Sequence, residues 1–189
     1  MKKIVFVGVL GFLVACSSNS TDKDLANDAA SQTSEKGLEE SVKAVKAFED
    51  SLKAASKTGT LEFSPETAVV YAEKCLAITH RFPKSDEAPR YMDKAHIIFA
   101  SAGLNQRSVM IADSLIMRYS TYKNRAMVLE SLAGSYDVFV KPRQKDKVKL
   151  YYELLLKENP KMDPAQRKQI EKRLKYVDLT FEEFISKAN

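Results

Sequence analysis

Residues 129–160 read LESLAGSYDVFVKPRQKDKVKLYYELLLKENP. Leu129, Leu132-Ala133 and Tyr136 recur at steps of three and four, the period of one helical face. A basic turn containing Pro142 follows. Val148 and Tyr152 repeat the four-residue step in a second helix, expected over about Gln144 to Glu158. Pro160, eight residues past Tyr152, cannot continue that helix. Ala133 is small enough for a second helix to approach, and Tyr136 is large enough to fill the space between neighbouring pairs. One such pair cannot bury its own apolar stripe, so the pattern predicts stacking of several pairs.

The same places recur upstream. Met92, Ala95, His96 and Phe99 fill the first-helix positions of a middle unit, and Ser108 and Ala112 the second. In the first unit the second helix matches, through Tyr71, Cys75 and Pro83. The unit ends, Pro83, Ser120 and Pro160, lie 37 and 40 residues apart. A tetratricopeptide repeat runs to about 34, so the connectors here are longer. Start and stop signals delimit the remaining helices. Leu38, Val42, Val45 and Leu52 mark one after Gly37. Ser64-Pro65 opens one that runs to about His80, with serine as cap and proline as first helical residue. Further helices are expected from near Ser85 to Gly103, from an Asn105 cap to about Tyr119, and from about Thr121 to Val140. Asp163-Pro164 opens another, and Thr180 with Glu183 has capping-box spacing for the last. No stretch alternates with period two. The expectation is an all-α chain of about eight helices, an α-solenoid of stacked antiparallel, tetratricopeptide-like hairpins over residues 38–189.

The N-terminus reads as an address. Lys2 and Lys3 precede an apolar run from Ile4 to Val14. Eleven residues are too few to span a bilayer, which takes about 20. The run ends in Leu13-Val14-Ala15-Cys16, which resembles a bacterial lipobox, so residues 1–15 are expected to be a lipoprotein signal peptide and Cys16 the site of lipid attachment. An ordinary secretory peptide cleaved after Ala15 is the alternative. Residues 16–37 then read as the lipidated cysteine and a flexible tether, since Leu25 is the only large apolar residue from Ser17 to Lys36. A tether of twenty such residues spans about 25 Å. With Cys16 lipidated, Cys75 has no partner within the chain. Its neighbours Tyr71, Ala72, Leu76 and Ile78 place it in a buried helical face, where a thiol packs as a small hydrophobe.

Residues from about 66 to 160 resemble the tetratricopeptide repeats of bacterial envelope lipoproteins of the BamD-type outer-membrane assembly family. The likeness rests on Arg81-Phe82-Pro83-Lys84-Ser85, on Ala88-Pro89-Arg90, and on Tyr151-Tyr152-Glu153-Leu154-Leu155 before Asn159-Pro160. The resemblance implies that the first helix of each repeat lines a groove for a peptide of a protein partner. Carried onto matching positions, that groove comprises Arg90, Asp93, Ile97 and Ser101 in the middle repeat. In the next it comprises Met127, Glu130, Asp137 and Val138. The alternative is that these are ordinary exposed helix residues.

Charge is uneven along the chain. Residues 17–66 hold ten acids and six bases, whereas residues 141–175 hold twelve bases and five acids. Lys141, Arg143, Lys145, Arg167, Lys168, Lys172 and Arg173 thus form a candidate basic patch, facing either solvent or an acidic partner or anionic lipid. The export signal argues against nucleic acid. Two histidines, His80 and His96, exclude an HExxH metal motif. Ala133-Gly134-Ser135-Tyr136 lacks the GxSxG pattern, and no Gly-rich phosphate loop occurs. The expectation is a non-enzymatic adaptor with no cofactor and no metal. It would be held in the outer membrane by its lipid, facing the periplasm, and would dock envelope proteins of a barrel-assembly or secretion complex. A surface-exposed ligand-binding lipoprotein and a carboxylate-based cell-wall enzyme are the competing expectations.

Overall fold

The computed structural model describes residues 21–58 and 64–188, with side chains from residue 34 to residue 187. Cys16 and residues 1–15, the expected signal peptide, lie outside the described residues. The chain divides into two units, Met1–Gly37 and Leu38–Asn189. The described residues form helices and no strands: α1 (Thr21–Lys57), α2 (Pro65–Arg81), α3 (Glu87–Ser101), α4 (Asn105–Arg118), α5 (Arg125–Gly134), α6 (Lys145–Glu158), α7 (Pro164–Lys175) and α8 (Phe181–Ala188). The protein is all-α.

Local chemistry sets most boundaries. Ser64 Oγ accepts from the Thr67 amide at 3.3 Å, and Pro65 opens α2. Asp163 Oδ1 accepts from the Ala165 and Gln166 amides at 3.0 Å, satisfying two of the amides that a helix start leaves free. The Thr180–Glu183 box forms in both directions, at 2.8 and 3.2 Å. Gly103, at φ +73°, ends α3 in the left-handed conformation. It lets the Leu104 amide reach back to Phe99 O at 2.9 Å.

Three expectations change. Asn105 is the first residue of α4 rather than its cap; Leu104 holds the cap position and makes no side-chain cap bond. The helix expected from Thr121 starts at Arg125 and passes at Ser135 into a π-helical turn, Ser135–Phe139, closed by the Val140 amide on Ser135 O. The stretch read as a flexible tether is helical from Thr21. Residues 21–36 contain neither proline nor glycine and carry alanine at 26, 29 and 30, so local propensity allows a helix there.

Consecutive helices pack on each other: α2 on α3, α3 on α4, α5 on α6. One hydrophobic core runs from Val45 of α1 to Ile170 of α7. The repeat positions fill it. Met92, Ala95, Phe99, Ala112, Leu129, Leu132, Ala133, Tyr136 and Val148 are buried. Cys75 is fully buried as well, and burial pushes its thiol up to about 12. Polar bridges then tie alternate helices side by side. Glu49 of α1 takes Lys94 of α3 and the Tyr71 hydroxyl of α2. His96 of α3 meets Ser131 of α5 at 3.1 Å, and Glu130 of α5 accepts from Gln166 of α7 at 3.1 Å. In the other set, Glu73 of α2 pairs with Arg107 of α4, and Asp113 of α4 accepts from Tyr151 of α6.

Candidate partner-binding face

The row α3, α5, α7 carries three hollows. Between α3 and α5 lies one of 460 Å³, bounded by Ser101, Asn105, Ser131, Gly134 and Phe139. Small residues at Ala100 and Gly134 leave it open, and Phe139 is 60% exposed beside it. Between α5 and α7 lie two more, of 510 and 390 Å³, both bordered by Glu130 and Gln166. Met127 and Met162 line the first. Tyr152, Ile170, Phe181 and Ile185 line the second, under α8. These volumes suit bulky side chains, with apolar walls and a few fixed polar groups.

The carried-over groove positions separate into two sets. Ser101, Met127 and Glu130 border these hollows, and Ile97, four residues before Ser101, is 56% exposed on α3. The others lie elsewhere. Arg90 sits at the helix junctions, with Nη1 on both oxygens of Glu87 at 3.0 Å. Asp93 is buried, and its Oδ2 accepts from Tyr122 Oη at 2.8 Å. Burial, and then that carboxylate, push the Tyr122 phenol up to about 12. Val138 is half-buried in the π turn.

Asp137 is no groove residue, and it draws two members of the expected basic patch, Arg143 and Arg173, away from solvent. Asp137 is 3% exposed and accepts from Arg173 Nε at 2.7 Å and Nη2 at 2.8 Å, and from Arg143 Nε at 2.7 Å. The two guanidinium groups also donate to Val177, Tyr176 and Leu179 carbonyls. Arg143 and Arg173 therefore hold the α7–α8 connection in place instead of presenting charge to solvent. Lys145 pairs with Asp178 at 2.8 Å, and Arg167 donates to Asn159 O at 3.0 Å. Lys141, Lys168 and Lys172 stay exposed.

Sequence reasoning missed Phe139, Gly134 and Gln166. Phe139 falls outside the repeat places, because the π turn rotates it off the 3.6 period. Gln166 becomes part of the face only because α7 packs beside α5. His96 is 2% exposed, with Nδ1 at 2.7 Å from Ser108 Oγ and Nε2 at 3.1 Å from Ser131 Oγ. Both ring nitrogens are thus spent on packing. Among the described residues no group of three His, Cys, Asp or Glu could hold a metal ion. Comparison with protein-family models, curated proteins and solved structures finds no match to this chain.

Proposed function

We infer that this chain is a lipid-anchored, non-enzymatic adaptor of the bacterial cell envelope, whose α3–α5–α7 face receives a peptide segment of a protein partner. In this reading α1–α2, α3–α4, α5–α6 and α7–α8 are successive tetratricopeptide-like hairpins of an α-solenoid. Cys16 carries the lipid, and the partner belongs to outer-membrane protein assembly or secretion. The observation that carries it is the run of hollows at Ser101–Phe139, Met127–Met162 and Tyr152–Ile185 along helices that are bridged side by side. Apolar walls spaced along one face match the alternating anchors of a bound peptide, and the polar Glu130–Gln166 bridge between them would fix its register.

The test is photocrosslinking in cells with a reactive side chain placed at Ser101 or Met127, compared with Met110 on the other helix row. Adducts to one envelope protein from the first two positions, and none from Met110, are the expected result. The absence of adducts, or equal adducts from all three, overturns the assignment. Retention of the protein in the membrane fraction, lost on Cys16→Ser, is the expected companion result for the anchor.

A further inference from the structure

The three junctions that lead from a second helix to the next first helix carry a repeated feature. Each brings two exposed cations, one in the last turn of the helix and one beyond it: Arg81 and Lys84 at α2, Arg118 and Lys123 at α4, Lys157 and Lys161 at α6. Of the six, Lys161 also lines the Met127–Met162 hollow. Among the described residues none of the six forms an ion pair. Arg81 and Arg118 lie over the rings of their neighbours Phe82 and Tyr119, at 5.3 and 5.4 Å.

The connections adjoin one another. Tyr119 Oη donates to Pro83 O at 2.9 Å, joining the first to the second. Arg125 donates to Ile116 O at 2.7 Å and to both Glu158 oxygens, joining the second to the third. Of the nearby acids, Glu87 holds Arg90, Glu158 holds Arg125 and Asp163 caps α7, while Asp86 stands exposed beside Lys84. The helix dipole accounts for Arg81, Arg118 and Lys157, which stand in last turns. It does not account for Lys84, Lys123 and Lys161, which lie beyond the helix ends.

We propose that this basic rim is a docking surface for the phosphate headgroups of anionic phospholipid. Two features favour a bilayer over an acidic protein. The cations are spread over three connections and are carried on long stems, as a laterally diffuse anionic surface requires. Met117, 76% exposed, stands directly before Arg118 and supplies an apolar group able to enter the headgroup layer. Apart from Lys161, the rim cations lie off the three groove hollows, and the rim would orient the domain against the membrane independently of Cys16.

The full chain bearing Cys16→Ser is sedimented with vesicles of phosphatidylcholine alone and of phosphatidylcholine and phosphatidylglycerol in equal parts. The ratio of the two partition coefficients reads the rim, because any hydrophobic contribution of the N-terminus enters both. We expect a preference for the anionic vesicles that declines with added salt. Lys84→Glu, Lys123→Glu and Lys157→Glu together should lower anionic partitioning on the order of a hundredfold. The same reversals at Lys141, Lys149 and Lys168, exposed lysines off the rim, should leave most of the preference, with unchanged circular dichroism in both variants. Absence of a preference overturns the proposal, as does equal loss in the two variants. Indifference to anionic vesicles with rim-dependent binding of polyglutamate would also overturn it, in favour of an acidic protein.

Discussion

Asp137 accepts three charge-assisted hydrogen bonds from two arginines in a place where little water reaches. Its side chain is 2% exposed and that of Arg173 5%. Removing one partner of such a group leaves an uncompensated buried charge, at a cost of about 3–5 kcal/mol. Asp137→Ala should therefore lower stability by that amount in denaturant melts, and Arg173→Lys should lose much of it, since an ammonium cannot serve Asp137 and two carbonyls with planar geometry. A loss under about 1 kcal/mol for Asp137→Ala would show that solvent reaches the pair. His96 offers a pH test. Burial holds its imidazole below the usual range, against the opposing charge of Asp93. The unfolded chain then takes up the proton first, so this contribution is complete above about pH 6.5 and is lost as pH falls through that value. Stability should drop as pH falls below about 6.5. His96→Gln should flatten the drop, and an unchanged slope would place its cause elsewhere.

Among the elements, the helix starts differ in what holds them. Asp163 contributes two cap bonds to α7, whereas α4 starts without a side-chain cap. Asp163→Ala should cost about 1 kcal/mol, and Asn105→Ala about 0.5 kcal/mol or less; equal losses would contradict the geometry. Both starts look alike in the sequence, since asparagine and aspartate are both good caps. They differ because Asn105 is already inside the helix, after Gly103 has turned the chain. The α5 end is similar: Leu129, Leu132 and Tyr136 follow the helical period, but nothing in it signals the i→i−5 bond at Val140 that puts Phe139 beside Ser101. Asp113 links the elements of the other row. It accepts from Tyr136 and Tyr151, whose rings stack at 5.9 Å, and burial with that carboxylate raises both phenols.

For the whole Leu38–Asn189 unit, burial is graded along the chain. α3 contributes eight buried residues, among them Phe99 at 0% exposure. Among the described residues the core includes none of α8, which is held through the Arg173 contacts and ring contacts of Phe184. Hydrogen exchange should be slowest in α3, α4 and α5 and fastest in α8, because local opening costs least where fewest apolar contacts are lost. Asp137→Ala should speed exchange in α8 before it affects α3. Uniform exchange across the helices would mean one cooperative unit instead.

The sequence by itself determined the helices, most of their ends and the residues of the core. Those depend on interactions within about four residues: Ser64 with Thr67, Asp163 with Gln166, Thr180 with Glu183, and the apolar period through Phe99 and Leu132. The tertiary structure alone decided which charges face water. Arg173 and Asp137 are 36 residues apart and Arg125 and Glu158 33. Nothing local distinguishes Arg173 from Lys172 beside it. Only when α7 packs near the end of α5 does one become a buried ligand of Asp137 while the other remains at the surface. The junctions that carry the cations of the proposed rim likewise adjoin only through distant contacts, Tyr119 on Pro83 and Arg125 on Ile116 and Glu158. Helix formation is a short-range equilibrium along the backbone, whereas charge pairing depends on which distant surfaces come into contact.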